Sequence, residues 1–277
     1  DLLELAKEIA IEAGEKLIRQ NNCQGCHAID GDGGAIQPTI ASWIGDIADE
    51  TNAEDRGIVL SFSPPMLDTE GRKVQPDWLL KFFKNPTMIR PNLAVRMPTF
   101  KMMSDDDWNS IIKYFQLKDG QTLPYENPHM VNKQSTSYKA GDVIADMGGC
   151  QNCHFYGNLK PRQAAVTWGP NLALTKERLR PEWLIELFKD PQVIMPGTKM
   201  PAPYIPVDEP VASVKEVWGK NVAKLHSEPE KLLEAIRDFT WAVSGPTDVS
   251  KIVKAHLARE GYGFVIEDDD DWGDEDW

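Results

Sequence analysis

The feature that most limits what this chain can fold into is a five-residue pattern used twice. Cys23-Gln24-Gly25-Cys26-His27 and Cys150-Gln151-Asn152-Cys153-His154 account for all four cysteines of the 277-residue sequence. A disulfide framework seldom places every cysteine two residues from a partner with His directly behind. Two thiols at this spacing, at the end of a helix, can each add across one vinyl group of the same haem, and the adjoining imidazole then faces the iron. A haem fixed in this way forms most of the core of a small domain. The competing use of Cys-x-x-Cys with His is structural zinc. Zinc needs ligands spread around a tetrahedron, and an immediately following His is poorly placed for that. Each pattern is therefore expected to hold one covalent haem c, two in the chain.

The repetition extends well beyond the cysteines. An offset of 127 lays Ala13-Gly14 on Ala140-Gly141 and Cys23–His27 on Cys150–His154. An offset of 105 lays Pro65-Met66-Leu67 on Pro170-Asn171-Leu172, Pro76-Asp77-Trp78-Leu79 on Pro181-Glu182-Trp183-Leu184, and Phe83-Lys84-Asn85-Pro86 on Phe188-Lys189-Asp190-Pro191. An offset of 103 brings Met97-Pro98 onto Met200-Pro201. The first copy has 22 extra residues between its CxxCH and its Pro-x-Leu. So many shared Trp, Pro and Cys positions indicate a duplicated domain.

Each copy reads as helices joined by loops, an all-α class. Leu2, Leu3, Leu5, Ile9, Ala10, Ala13, Leu17 and Ile18 follow one helical stripe. Pro76 and Pro181 suit a first helical turn, and each of those helices is expected to stop before Pro86 or Pro191. Trp78, Leu79, Phe82 and Phe83 give a buried face, matched by Trp183, Leu184, Leu187 and Phe188. Ser104 reads as an N-cap with Asp105, Asp106 and Asp107 in the first turn, and the equivalent helix of the second copy is expected at about 229–243. The organisation predicted is an N-terminal domain over 1–120, a linker over 121–136, and a C-terminal domain over 137–244 with an insertion at 203–228. An extension at 245–277, with a short helix near 247–259, is read as surplus to both cores.

In this combination each half resembles the small α-helical domain of class I c-type cytochromes. The order shared is an N-terminal helix with Gly, CxxCH, a Pro-x-Leu loop, a helix beginning near Trp, a Met-Pro loop and a C-terminal helix. The stretches Phe62–Leu67 and Arg96–Phe100 also give a looser similarity to dihaem c-type subunits of bacterial respiratory complexes with a bc-type cytochrome. The resemblance implies His27/Met97 and His154/Met200 as iron ligands, since a Met thioether opposite His raises the potential and closes the site. It implies Pro65 and Pro170 as the residues whose carbonyls face the two imidazoles. Met102 or Met103 is the fallback in the first copy, Met195 in the second. The other methionines, Met66, Met88, Met102, Met103, Met130, Met147 and Met195, read as core filler. His129, His226 and His256 read as surface or linker residues. Arg96 and Lys199 precede the ligand methionines and are candidates to neutralise haem propionates.

Charge narrows the partners. The net charge is −13, and the eleven residues 267–277 carry eight acidic groups and no basic one. Nucleic acid is therefore an unsuitable partner, whereas a basic protein surface suits the tail, with Trp272 and Trp277 as anchors. No apolar run reaches the roughly 18 residues that span a bilayer. The chain opens at Asp1 with neither Met nor an apolar leader, as a trimmed product or a fragment would. Two closed haem sites and no nucleophile or nucleotide loop imply electron transfer between redox proteins, outside the cytoplasm, rather than an enzyme. The rival reading is a dihaem peroxidase, which needs one iron that can open to peroxide.

Overall fold

In a computed structural model the described residues are 1–45, 53–91, 93 and 96–260. The acidic run at 267–277, with Trp272 and Trp277, lies outside them. Among the described residues the elements are helical apart from one two-residue hairpin, β1 (Ala28–Ile29) paired antiparallel with β2 (Asp32–Gly33).

The first repeat begins with α1 (Leu2–Gln20) and, after the hairpin, carries α2 (Gln37–Ile44) and α3 (Ala53–Phe62) in its extra residues. It continues through the single turn α4 (Glu70–Lys73) and α5 (Pro76–Lys84) to α6 (Asp105–Lys118). The second repeat runs from α7 (Thr136–Met147) through the single turn α8 (Thr175–Arg178) to α9 (Pro181–Lys189) and the single turn α10 (Pro191–Ile194). The insertion follows as α11 (Val211–Val217) and α12 (Gly219–Leu225), and then come α13 (Pro229–Ala242) and α14 (Ser250–Arg259). Pro76 and Pro181 sit in the first turn as expected, and both helices end two residues before the next proline. Ser104 forms a full capping box with Asp107 at the head of α6.

A glycine lets the first and last helices of each repeat cross closely. A Cβ on Gly14 of α1 would stand 2.6 Å from the Ser110 carbonyl oxygen of α6 and collide with the Tyr114 Cβ. A Cβ on Gly141 of α7, its counterpart at offset 127, would collide with the Ala235 carbonyl of α13. Around the first crossing Ile18, Leu79, Phe83, Trp108, Ile111, Ile112 and Phe115 form one buried cluster. Around the second, Ala140, Ile144, Trp183, Leu184, Leu232 and Ile236 do the same. Each such large side chain contributes about 1.5–3 kcal/mol of burial.

The structure corrects three expectations. The stripe at the start of α1 is not core: Leu2, Leu3, Leu5 and Ile9 are exposed, and burial begins at Gly14 and Ile18, where α6 arrives. Met102, Met130 and Met147 are also exposed rather than filling the core, because they lie on loops and a helix end beyond the crossings. Residues 245–260 are not surplus. Val249 and Val253 are 2% exposed and pack with Phe155 and Trp168, while the Asn171 amide donates to the carbonyls of Pro246 and Thr247. The first repeat has no counterpart of this segment, so the repeat alignment could not reveal it. The insertion likewise contributes Val214, Trp218 and Val222 to the core of the second repeat.

The two repeats meet along a short reciprocal contact. Val74 and Leu179, equivalent at offset 105, form an antiparallel bridge. Gln75 N–H donates to Arg178 O at 2.8 Å, and Arg180 N–H donates to Lys73 O at 2.9 Å. The Lys73 ammonium lies 5.8 Å from the Trp183 ring centroid, and the Arg178 guanidinium lies 5.3 Å from that of Trp78. Every partner is the counterpart of the other, so a local two-fold axis relates the halves here, as in an isologous dimer contact. Glu70 and Lys73 form a buried ion pair of 2.8 Å beside it.

Gly141→Ala is expected to lower stability by about 1–3 kcal/mol or more, because the colliding atom is backbone and cannot swing aside. A denaturant midpoint unchanged from the parent protein would show that the α7–α13 crossing tolerates a methyl group.

Candidate haem sites

Each CxxCH is set by the way its helix ends. After α1, Asn22 takes a left-handed conformation (φ 52°), and Cys23–Gly25 form one turn of 3₁₀ helix. After α7, Gly149 does the same (φ 68°) before the 3₁₀ turn Cys150–Asn152. The backbone closes identically in both: His27 N–H donates to Cys23 O at 2.9 Å, and His154 N–H to Cys150 O at 3.0 Å. The same turn thus closes both CxxCH patterns, with the histidine backbone bonded to the first cysteine of each.

The Pro-x-Leu loop is then pinned to the residue after the histidine. Leu67 N–H donates to Ala28 O and Leu172 N–H to Phe155 O, both at 2.9 Å. That registration brings Pro65 O to 2.7 Å from His27 Nδ1 and Pro170 O to 2.7 Å from His154 Nδ1. A carbonyl can only accept, so Nδ1 carries the hydrogen and Nε2 keeps its lone pair free for a metal. Burial pulls both imidazoles below the ordinary histidine range, with the carbonyl bonds acting in the opposite sense. Both are thus held neutral near pH 7, the form that ligates. Gly169 completes the second site: a Cβ there would stand 2.8 Å from the His154 ring.

The thiols of Cys23, Cys26, Cys150 and Cys153 are unbonded and partly buried. Burial raises the Cys23 and Cys150 thiols above their usual range. Among the described residues no three His, Cys, Asp or Glu side chains converge as a metal cluster. Cys23, Leu67 and Met97 all lean on the hydrophobic cluster of the first repeat, with Phe100 and Met103. Met200 and Met195 lean on the cluster of the second. Of the fallback ligands, Met102 points to solvent, 84% exposed.

Buried cations complete the picture, and the sequence reading missed most of them. Lys73 and Arg180 are both 4% exposed. Arg90 donates to the carbonyls of Ser61 and Ser63, and burial together with the Arg178 and Arg96 charges pulls its guanidinium down to about 10, still charged at neutral pH. Glu70 is the carboxylate paired with Lys73, while Arg178 Nε, Arg180 Nη2 and Trp183 Nε1 are buried without a hydrogen-bond partner. Buried positive charge in excess of carboxylate calls for an anion. A haem brings two carboxylates, two vinyl groups and an iron. The free thiols, the open Nε2 atoms and the orphaned cationic donors fit that group. The signal for Lys73 and Arg178 was present in the sequence, since they coincide at offset 105. Arg96 and Lys199 are engaged elsewhere, Arg96 with the Leu93 carbonyl and Lys199 over the Phe62 ring and near the Val166 carbonyl.

The remaining histidines are packed rather than free at the surface. His129 Nε2 lies 3.2 Å from Asp238 and edge-on to Trp241. His256 lies tilted on Trp168, and His226 ends α12 with its Nε2 buried.

Residues 11–117 match the family model for Cytochrome c. The matched stretch runs from within α1 to the end of α6, and the match supports covalently bound haem c and an electron-transfer role for this part of the chain. Domains of this kind are typically extracytoplasmic, and no described helix is long and apolar enough to cross a membrane. Comparison with curated proteins and with solved structures returns no match.

Glu70→Gln is expected to destabilise the protein by about 3–5 kcal/mol, because it leaves Lys73 buried without its counter-ion. Urea denaturation followed by far-UV circular dichroism measures this. A loss below about 1 kcal/mol, the range of an exposed pair, would mean that Lys73 reaches solvent or another anion.

Proposed function

We propose that the chain is a dihaem c-type cytochrome that relays electrons between two redox partners, with one haem in each repeat. The observation that carries the second haem is the shared His–Pro geometry. The second repeat has the same left-handed break, 3₁₀ turn, Leu-to-carbonyl bond and 2.7 Å contact from His Nδ1 to a proline carbonyl as the matched domain. His27 and His154 would hold the iron through Nε2, and Met97 and Met200 would supply its thioether ligands. The haem supplies the reversible one-electron couple. The chain's residues attach it at Cys23/Cys26 and Cys150/Cys153, hold each imidazole neutral and oriented through Pro65 O and Pro170 O, and keep water from the ring with the aromatic clusters. A His–Met pair leaves no open coordination position, so the sites pass electrons rather than bind a substrate.

The partners we propose are redox proteins of an extracytoplasmic respiratory or photosynthetic chain, with a quinol-oxidising complex containing a bc-type cytochrome as the best candidate. The acidic run 267–277 would dock on a basic protein surface, its charge steering encounter and Trp272 and Trp277 supplying burial.

Mass spectrometry of the denatured chain should show the mass of two haems above the polypeptide; one haem only would limit the cytochrome to the first repeat. Met97→His and Met200→His should each lower the potential of one haem and leave the other nearly unchanged in a redox titration. A high-spin ferric signal with peroxide turnover would instead favour the peroxidase reading. Truncation after Val265 should leave haem content and potentials unchanged and weaken binding to a basic redox partner, mostly at low ionic strength. Binding that is unchanged at low salt would remove the tail from the docking surface.

A further inference from the structure

The first repeat sends one of its extra helices against the loop that carries Met200. Gly197 of that loop has φ +81°, and a Cβ built on it would stand 2.6 Å from Leu60 Cβ, 3.0 Å from Gly57 O and 3.1 Å from Ser61 N, all atoms of α3. The backbones of the loop and helix are therefore in direct contact, and only glycine fits. Lys199 reinforces the contact, its ammonium 5.7 Å from the ring centroid of Phe62 at the end of α3. Arg90 ties the same end of α3 down through the carbonyls of Ser61 and Ser63. Inside the loop the Gln192 amide donates to the carbonyls of Thr198 and Met200, and Met200 N–H donates to Thr198 Oγ1 at 3.3 Å. Only Thr198 and Lys199 separate the glycine from the methionine, so a displacement at Gly197 is passed directly to Met200.

α3 lies in the stretch between CxxCH and Pro-x-Leu where the first copy is 22 residues longer, and among the described residues the second repeat has no α-helix in the corresponding stretch to reach back.

We infer that α3 is a positioning element that clamps the Met200 loop, so that the second haem keeps its thioether ligand under conditions in which the first loses it. The inference rests on the proposed Met97 and Met200 ligation. Gly57, Leu60 and Phe62 act through Gly197 and Lys199 and touch no cofactor themselves. The clamp makes two similar sites unequal: displacing Met200 requires the loop to lift from α3, whereas displacing Met97 does not.

Cyanide, which competes with a thioether for ferric iron, is the probe, applied to the full chain. The two haems are followed separately by the hyperfine-shifted methyl resonances of their methionines, assigned with Met97→His and Met200→His. In the parent protein cyanide should replace Met97 faster than Met200. Gly197→Asn tests the clamp: Asn tolerates left-handed backbone but still puts a Cβ against Leu60. It should speed exchange at the second haem about tenfold or more, as overpacking of this size implies, lower that haem's potential and leave the first unchanged. Lys199→Gln, a surface change that does not endanger folding, should speed exchange about twofold through loss of the ring contact. Equal exchange at both haems in the parent protein, or a second haem indifferent to both substitutions, overturns the clamp. A methyl resonance of the second haem that survives Met200→His overturns the ligand assignment and takes the clamp with it.

Discussion

A hydrogen bond from an imidazole to a backbone carbonyl is the constraint on which the rest of each site depends. At 2.7 Å, with proline as the carbonyl's owner, it fixes which ring nitrogen carries the hydrogen and turns the other toward the cofactor side. The bond can form only if two segments far apart in sequence arrive in register. In the first repeat 38 residues separate His27 from Pro65, against 16 between His154 and Pro170. The same distance is reached in both because Leu67 and Leu172 are pinned to the residue after each histidine. The extra residues of the first repeat therefore loop out without disturbing the imidazole, and they are free to carry α2 and α3 to other tasks.

The burial pattern follows from that frame. The apolar faces of α5 and α9 pack beneath the crossings that Gly14 and Gly141 permit, and buried cations gather at the junction of the repeats. There, Glu70 is the one carboxylate paired with Lys73, while Lys73, Arg178 and Arg180 all lie against tryptophan and tyrosine faces. Aromatic faces soften the loss of hydration without neutralising the charge, so the junction remains electropositive in a chain whose net charge is −13. An acidic exterior and a cationic interior thus coexist in one molecule.

Much of this was legible in the sequence because proline, glycine and tryptophan mark geometry directly. Pro76 and Pro181 announced helix starts, Ser104 a cap, and the displaced repeat located α13, which runs Pro229–Ala242, almost to the residue. The CxxCH positions were legible because the chemistry of attachment dictates their spacing, and the Pro-x-Leu positions because they recur at an offset of 105. What escaped was whatever has no second copy. The packing of α14 on Trp168, the insertion helices in the second core and the reach of α3 across the junction are each unique to one repeat. The exposed start of α1 escaped for a different reason: periodicity shows that a helix has an apolar stripe, but not how far along it a partner helix extends.

The reciprocal contact at Val74 and Leu179 bears on how such a chain can come to exist. In it, each backbone donor of one copy meets the acceptor that its own counterpart would offer, and each cation meets the counterpart of its own tryptophan neighbour. A surface of that kind is complementary to itself. Two separate molecules of a single-repeat protein could close the same contact without any linker, so fusing the genes would demand no new interface, only a tether long enough to join the end of α6 to the start of α7. After fusion the two copies no longer had to stay identical, and one could acquire a helix that rests on the other while the symmetric seam between them stayed as it was.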